Sequence, residues 1–245
     1  MPPAPAPIVL MTRPAVQAVP AADALRAARP GLRVVVAPLM EIAPRPLSVA
    51  AEGYAGLIFT SVNGVAGFAA QSGLRDRPVW CVGDATADAA RRAGFAAPVT
   101  AGPQGGDAES LLKLLLQARP AAPLLHLRGA HARGDLAPRL TAAGLRCDAT
   151  VIYDQLAQPL PAEGRSALAG RDPVVVPLYS PRSARLAAQA VAQVAVTADL
   201  HPVAISPAAA AAWTDSRPEL PRISARPDGA AMLQAVLAAC DAIVA

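Results

Sequence analysis

Hydroxyl, amide and guanidinium side chains follow the predicted strands of this sequence at the points where the apolar runs end. Such groups donate hydrogen bonds, and helix starts add free backbone N–H groups, so together they favour binding of carboxylates or phosphates. Because ligands of open parallel sheets lie beyond the carboxyl ends of the strands, we expect binding residues there. The candidates, two glycines among them, are Arg13, Thr60, Ser61, Asn63, Gly83, Thr86, Arg128, Gly129, Arg133, Ser180 and Ser206.

Helix capping is the competing interpretation of each hydroxyl. Ser, Thr, Asn and Asp are favoured N-caps in any protein, and for any single residue capping is the better explanation. Thr12, which precedes Arg13, and the three acidic residues Asp84, Asp107 and Asp135 are interpreted as caps in the same way. Binding gains support from the number of such residues that converge on one edge of each predicted sheet.

Tyr153 is a candidate for acid–base chemistry. It ends the predicted strand 146–153, and its phenol could donate a proton or a hydrogen bond to a leaving group. The alternative is an ordinary amphipathic tyrosine at a domain boundary, and the residues alone favour that alternative.

The sequence has no motif for a cofactor or a metal. It lacks the glycine-rich fingerprints of nucleotide sites and the HExxH and GxSxG patterns. His126, His131 and His201 have no metal-ligand spacing, and His126 lies within an apolar strand and is expected to be packed. The three cysteines, Cys81, Cys147 and Cys240, form no disulfide framework, so we expect small buried residues in a reducing compartment.

Short apolar strands alternate with helical stretches of about a dozen residues, which is typical of an α/β fold with parallel sheets. The predicted strands are 8–11, 33–37, 57–59, 79–82, near 99, 124–127 and 146–153. The predicted helices are 16–29, 62–70, 86–93, 111–118 and 136–143. Prolines such as Pro20, Pro30 and Pro173 are predicted to mark element boundaries.

The second half of the chain repeats the first. The segment 57–68 resembles 174–186 when Ser61 is placed opposite Ser180, and further on Gly83 meets Ser206. A βαβα unit used twice predicts two related α/β domains. The second copy supplies about three strands, so the N-terminal strands are expected to complete its sheet. The predicted domains are 1–36 with 157–245, and 43–148, and the crossings 37–42 and 149–156 could pair as a two-stranded hinge.

Composition adds limits on the class of protein. The chain is 53% hydrophobic and 16% charged, with a net charge of +4 and one lysine among its 22 basic residues. Arginine suits carboxylates and phosphates, and no basic run with interleaved aromatics predicts nucleic-acid binding. No apolar run approaches the roughly 18 residues of a membrane span, and no signal peptide is recognisable, so a cytoplasmic protein is expected.

Six ordered segments resemble the uroporphyrinogen-III synthase family. They are LMTRP at 10–14, IFTSVNGV at 58–65, VWCVGDATADAARRAGF at 79–95, LHLRGAHARGDLAPRLTAAGLRCDATVIYDQ at 125–155, YSPRSA at 179–184 and AISPAAAAAW at 204–213. The resemblance implies two doubly wound, flavodoxin-like α/β domains joined by a two-stranded β-ladder. The first domain is divided between the two ends of the chain.

The resemblance also implies a reaction. Linear hydroxymethylbilane loses water, closes and inverts its last pyrrole ring through a spiro intermediate, giving uroporphyrinogen III for haem and related tetrapyrroles. The enzyme is a lyase that uses neither a metal nor an organic cofactor. The family further implies a cytoplasmic monomer, without nucleic-acid or membrane partners, that receives its substrate from hydroxymethylbilane synthase.

Tyr153 matches the family tyrosine that assists loss of the hydroxyl, and the strand-end residues named above become candidates for substrate binding. One segment departs from the family. Ser206 and the alanines 208–210 stand where the family has a Gly-Pro-Thr-Thr-Ala-like stretch, so this side would rely on backbone N–H groups and Ser206. A non-catalytic binder of an acidic small molecule, such as a tetrapyrrole, is therefore the alternative. A response-regulator module is less favoured, because Thr12 and Arg13 replace its acidic cluster.

Overall fold

The structure is a computed structural model that describes residues 6–101, 106–131 and 134–244. The chain divides into two compact units, residues 1–41 with 156–245 (unit 1) and residues 42–155 (unit 2). The predicted domain limits stay predictions. Within the described ranges, no helix combines the length and the apolar character that a membrane crossing requires.

Strands and helices alternate along most of the chain. The strands are β1 (Ile8–Met11), β2 (Arg33–Val36), β3 (Met40–Pro44), β4 (Gly56–Phe59), β5 (Val79–Cys81), β6 (Val99–Thr100), β7 (Leu124–Gly129), β8 (Cys147–Ala157), β9 (Val174–Leu178), β10 (Leu200–Ala204) and β11 (Arg222–Ile223). The helices are α1 (Ala15–Ala28), α2 (Val62–Ala69), α3 (Asp84–Arg92), α4 (Ala108–Ala118), α5 (Leu136–Ala142), α6 (Ala162–Leu168), α7 (Pro181–Ala192), α8 (Pro207–Thr214) and α9 (Gly229–Val244).

The sheet of unit 1 has the order β11-β10-β9-β1-β2, and its strands run parallel. The N-terminal strands β1 and β2 complete the sheet of the second copy, which confirms the expectation from strand counting. Numbered along this unit, the order is 2-1-3-4-5, the flavodoxin-like arrangement, whose topological switch point lies between β1 and β9.

The sheet of unit 2 has the order β3-β8-β7-β4-β5-β6. Its strands β4 to β8 run parallel, and the switch point lies between β4 and β7. The order of these five strands is that of unit 1 after circular permutation. Strand β3 runs antiparallel to β8 and forms with it the predicted two-stranded ladder. This follows from the hydrogen bonds from Arg45 N to Ile152 O and from Gln158 N to Leu39 O.

Both sheets carry helices on both faces, as a doubly wound fold requires. Ile8 and Leu10 of β1 pack on the face that α6, α7 and α8 cover, whereas Val9 and Met11 pack on the face of α1 and α9. In unit 2, α2 and α3 cover one face and α4 and α5 the other. Because side chains of a strand alternate between faces and both faces are covered, the central strands β1, β4 and β9 are apolar along their whole length.

The predicted internal repeat is visible in the helix caps. Ser61 caps α2 and Ser180 caps α7, with φ of −162° and −167°, and each hydroxyl oxygen accepts the N–H three residues ahead at 3.1 Å. Gly83 and Ser206 are the equivalent N-caps of α3 and α8. In both units, therefore, the apolar run of a strand is followed by a serine that caps the next helix.

Several predicted caps are wrong. Pro14 is the N-cap of α1 in place of Thr12, and Ser61 takes the cap of α2 in place of Thr60. Thr86 lies within α3, because that helix begins at Asp84. Asp84 is the first residue of α3 and not its N-cap. Asp135 is the N-cap of α5 as predicted, without a side-chain capping bond, and the Asp107 oxygen accepts Ser110 N–H at 2.8 Å as expected. Pro20 was predicted at a boundary, yet it lies inside α1.

Arg75 fixes the carboxyl ends of α2 and α3 in unit 2. Its guanidinium donates hydrogen bonds to the carbonyl oxygens of Ala69, Ser72, Leu74 and Ala93. It also lies 5.1 Å above the Phe95 ring centroid. Helix ends leave carbonyl groups unpaired, and this side chain satisfies several of them at once.

We expect Arg75→Met to lower the free energy of unfolding by about 2–4 kcal/mol, because it leaves half-buried carbonyl groups without donors. Chemical denaturation measures the change. The exposed Arg92→Met is the matched control and is expected to change stability by less than about 0.5 kcal/mol. Equal losses in the two variants would contradict the role of Arg75.

Candidate functional site

The switch point of unit 2 brings together several of the predicted residues. The carboxyl ends of β4 and β7 are neighbours there, and β8 lies beside β7. Helix α2 begins directly at this edge, and its N-cap Ser61 accepts Gly64 N–H at 3.1 Å. The Ser61 hydroxyl also lies 2.8 Å from the Tyr153 hydroxyl, which joins two predicted site residues 92 positions apart.

The ring of Tyr153 lies directly on Gly129. A Cβ atom at Gly129 would approach Cζ of the ring to 2.5 Å and its hydroxyl oxygen to 2.8 Å, closer than real side chains come. A register shift between Arg128 and Gly129 sets this pairing, so that Gly129 lies opposite Tyr153. Bulges of this kind re-aim side chains beside functional sites. Position 129 therefore has to be glycine, because a larger residue would collide with the Tyr153 ring that packs on it.

Tyr153 is only 6% exposed. Burial raises the pKa of its phenol, and the hydrogen bond with Ser61 offsets part of that rise. The phenol is therefore neutral and carries its proton at neutral pH. When Ser61 donates its own hydroxyl proton to the tyrosine oxygen, the phenol proton is free to be donated elsewhere. The positive end of α2 favours negative charge at this place.

The opposite face of β4 and β7 carries a second polar pair. The Thr60 hydroxyl lies 3.0 Å from His126 Nε2, and His126 is only 3% exposed. Burial first and the charge of Arg128 second lower the pKa of His126 to about 4. The imidazole is therefore neutral at neutral pH. Arg128 is half-buried, and its Nε donates to Gly129 O at 3.3 Å.

The switch point of unit 1 has an arginine and an aromatic ring. The Cζ atom of Arg13 lies 4.0 Å from the centroid of the Tyr179 ring. Ser180 forms a capping box with Ser183, and the Ser206 hydroxyl oxygen accepts Ala209 N–H at 3.3 Å. Strand register and the sequence repeat place Arg13 and Arg128 at equivalent positions of the two units.

The remaining predicted residues lie along the same edges. Asn63 is half-buried in the first turn of α2, Gly83 is the extended N-cap of α3, and Thr86 is buried with its N–H bonded to Gly83 O. Arg133 lies outside the described residues. In the part of the chain that the structure describes, no three His, Cys, Asp or Glu side chains are grouped so that they could hold a metal ion. The three cysteines are buried and unbridged.

Two residues were missed as site components from the sequence. His126 is buried as expected, but its contact with Thr60 depends on strand pairing that the sequence does not reveal. Tyr179 directly precedes Ser180 in the repeat, where Thr60 precedes Ser61. That correspondence was the available signal for a functional side chain at this position.

A family model described as "HEM4: Uroporphyrinogen-III synthase HemD" matches residues 21–234. No curated protein matches the sequence significantly. Among solved structures, the crystal structure of uroporphyrinogen-III synthetase from Helicobacter pylori 26695 is similar, with a TM-score of 0.65 and 17% identity over 94% of this chain and 98% of that one. A mutant uroporphyrinogen III synthase from the extremely thermophilic bacterium Thermus thermophilus gives a TM-score of 0.58 and 17% identity, covering 96% and 99%. At these identities the two structures show the shared fold.

Gly129→Ala tests the support of Tyr153. We expect the added methyl group to displace the ring, lower the free energy of unfolding by about 1–3 kcal/mol and bring the phenol pKa down as the ring gains solvent. Denaturation and ¹³Cζ-tyrosine NMR measure the two effects. Gly53→Ala is the control, because nothing lies within 4 Å of its added Cβ. An unchanged Tyr153 resonance in Gly129→Ala would contradict the packing.

His126 predicts a pH-dependent stability. Its folded pKa of about 4 lies below the ordinary 6.5, so the unfolded chain binds more protons between these values. Stability that is present above pH 6.5 is therefore lost as the pH falls toward 4, by about 3 kcal/mol. Denaturation at both pH values should show a smaller loss in His126→Leu than in the wild type. The exposed His131→Gln should retain the wild-type loss, and equal slopes in all three proteins would exclude His126 as the cause.

Proposed function

The chain belongs to the uroporphyrinogen-III synthase family, and we propose that it converts hydroxymethylbilane to uroporphyrinogen III. The reaction removes water, closes the macrocycle and inverts the last pyrrole ring. The observation that carries the proposal for this chain is the buried, neutral phenol of Tyr153, which Gly129 supports and Ser61 contacts at the carboxyl end of the sheet.

Loss of hydroxide is the step for which an acid is useful. In our proposal the Tyr153 phenol donates its proton to the hydroxymethyl oxygen as the C–O bond breaks. The bonding electron pair leaves with the oxygen as water, and the pyrrole nitrogen stabilises the remaining cation as an azafulvene. The last ring then attacks through its substituted carbon to give the spiro intermediate. The bond between that carbon and its original methylene bridge then breaks, which leaves an azafulvene on the neighbouring ring. This methylene bonds to the unsubstituted α-carbon of the last ring, so that the ring is inverted. That carbon loses its proton as aromaticity is restored, and the proton returns to the phenolate.

The hydrogen bonds of Ser61 suit this step. Gly64 N–H donates to the Ser61 oxygen, and the Ser61 hydroxyl can donate to the tyrosine oxygen. The chain of donors ends on the oxygen that gains negative charge when the phenol gives up its proton. A hydrogen bond to the charged form stabilises it, so Ser61 acts through Tyr153 as a positioning residue.

Substrate positioning is the second requirement, because the azafulvene is reactive by itself and the protein must direct its closure. Hydroxymethylbilane carries eight carboxylates. Helix N-termini at Ser61, Ser180 and Ser206, together with Arg13 and Arg128, offer donors that match this charge. We propose Thr60, Asn63, Gly83, Thr86, Gly129 and Arg133 as further members of the binding surface.

A non-catalytic binder of an acidic tetrapyrrole is the second candidate. The start of α8 favours it, because the Ser206 hydroxyl caps Ala209 N–H and the next residues, Pro207 and the alanines 208–210, offer no side-chain hydroxyl. A chain of this kind would retain the anion-binding helix starts while contributing fewer donors from α8.

We also propose that the enzyme acts as a cytoplasmic monomer that receives hydroxymethylbilane from hydroxymethylbilane synthase. Support comes from the family and from the chemistry of the substrate, since free hydroxymethylbilane closes spontaneously to isomer I without ring inversion. A rapid hand-over would limit that side reaction.

A coupled isomer assay tests the function. Hydroxymethylbilane is generated in situ, the products are oxidised, and the uroporphyrin isomers are separated by chromatography. We expect isomer III from the wild type, a kcat lower by roughly 10²–10⁴-fold in Tyr153→Phe, and a loss of about tenfold in Ser61→Ala.

Asp107→Ala is the matched control for the loss of a helix cap, with an expected cost of about 1 kcal/mol in stability and an unchanged kcat. Isomer I alone from folded wild-type protein would favour the binder. Isomer III at the wild-type rate from Tyr153→Phe would exclude the phenol as the acid.

A further inference from the structure

Arg13 is a partly buried cation without an ion-pair partner in the part of the chain that the structure describes. Other arginines, such as Arg33 and Arg45, bind carboxylates there. The Nε atom of Arg13 is buried and has no hydrogen-bond acceptor among the described residues. A buried donor without an acceptor is costly, so the hydrogen bonds that this guanidinium can donate are only partly used within the described residues.

Tyr179 provides a platform for this guanidinium. The Arg13 Cζ atom lies 4.0 Å from the ring centroid, within the range of a cation–π contact. Burial lowers the pKa of Arg13 and raises the pKa of Tyr179. The interaction between the two side chains partly opposes both shifts. Both groups are thus short of solvent. In unit 2 the equivalent of Tyr179 is Thr60, which contacts His126, so the aromatic platform is particular to unit 1.

A pocket of about 400 Å³ adjoins the pair between α1 and the start of α9. Its volume lies in the range of small-molecule sites. Its polar lining comes from Arg13, Gln17 and Tyr179, and Ala21, Ala24 and Leu233 supply apolar wall. The planar guanidinium of Arg13 next to apolar side chains suits an anionic group that is carried on a short hydrocarbon arm.

Asp228, which directly precedes the pocket residues Gly229 and Ala230, has partners other than Arg13. Asp228 precedes α9, and its Oδ1 accepts Ala231 N–H at 2.7 Å while its Oδ2 accepts Arg226 Nε at 2.9 Å. Its charge is therefore compensated by the helix start and by Arg226. Among the described residues that line the pocket, Arg13 carries the one charged side chain.

We propose that this pocket is a subsite for a carboxylate on a short alkyl arm, with Arg13 as its anchor and Tyr179 as the platform that holds the guanidinium. The assignment of the arm to a pyrrole ring of the substrate rests on the proposed function. The chemical class of the ligand rests on the pocket alone.

The test is a ¹H–¹⁵N NMR titration with porphobilinogen, a monopyrrole that carries one acetate and one propionate arm. We expect saturable shifts of the Gly229 and Ala230 amides and of Arg13 Nε–H. Arg13→Met should weaken binding by about ten- to a hundredfold, and Arg13→Lys, which retains the charge without the fork, by several-fold less. The exposed Arg171→Met, with the same loss of charge, is the control and should bind like the wild type.

Absent shifts at α9, or equal affinity in the wild type and in both Arg13 variants, would overturn the subsite. The isomer assay on the wild type separates this failure from failure of the function. Isomer III without a titration at the pocket removes the subsite alone. Isomer I alone with a saturating, Arg13-dependent titration removes the proposed reaction and leaves a carboxylate site.

Discussion

The close approach of the Tyr153 ring to Gly129 is the constraint on which the proposed chemistry depends. No side chain larger than hydrogen fits beneath the ring, and the register shift of β7 is what places the glycine there. With the ring in this position, the phenol reaches Ser61 at 2.8 Å and is almost wholly buried. Removal from water keeps it protonated, and the start of α2 provides a place for the charge that it would acquire. The packing on Gly129, the burial of the ring and the positive end of α2 thus all act on the Tyr153 hydroxyl oxygen.

Duplication explains why the two units look alike at their strand ends and yet differ in chemistry. Ser61 and Ser180 have the same backbone conformation and the same capping bond. In unit 2 the Ser61 hydroxyl also contacts Tyr153 of β8, whereas in unit 1 the Ser180 hydroxyl takes part in a capping box with Ser183. Unit 1 has instead the arginine–tyrosine pair of Arg13 and Tyr179. In our proposal unit 2 contributes the proton donor Tyr153, and unit 1 contributes the carboxylate-binding Arg13.

The sequence predicted the features that have local causes. Apolar runs, proline and glycine boundaries and the repeat were enough for the α/β fold, the completion of the first sheet by β1 and β2, and the caps at Ser61 and Ser180. Caps at Thr60 and Thr86 were predicted wrongly, because a shift of one to three residues in a helix start leaves the hydrophobic pattern almost unchanged. The contacts of Tyr153 with Ser61 and of Arg13 with Tyr179 join residues far apart in sequence. They depend on strand order and on a bulge, neither of which periodicity encodes.

We propose that Tyr153 donates the proton with which the hydroxyl group leaves as water. A bilane whose leaving group needs no proton, such as an acetate ester of the hydroxymethyl group, tests it directly. The rate of isomer III formation by wild type and Tyr153→Phe is measured on both substrates. We expect a large difference in rate between the two proteins with the hydroxyl substrate and a difference of less than about tenfold with the ester. An equal defect on both substrates would contradict proton donation and leave Tyr153 a role in binding alone.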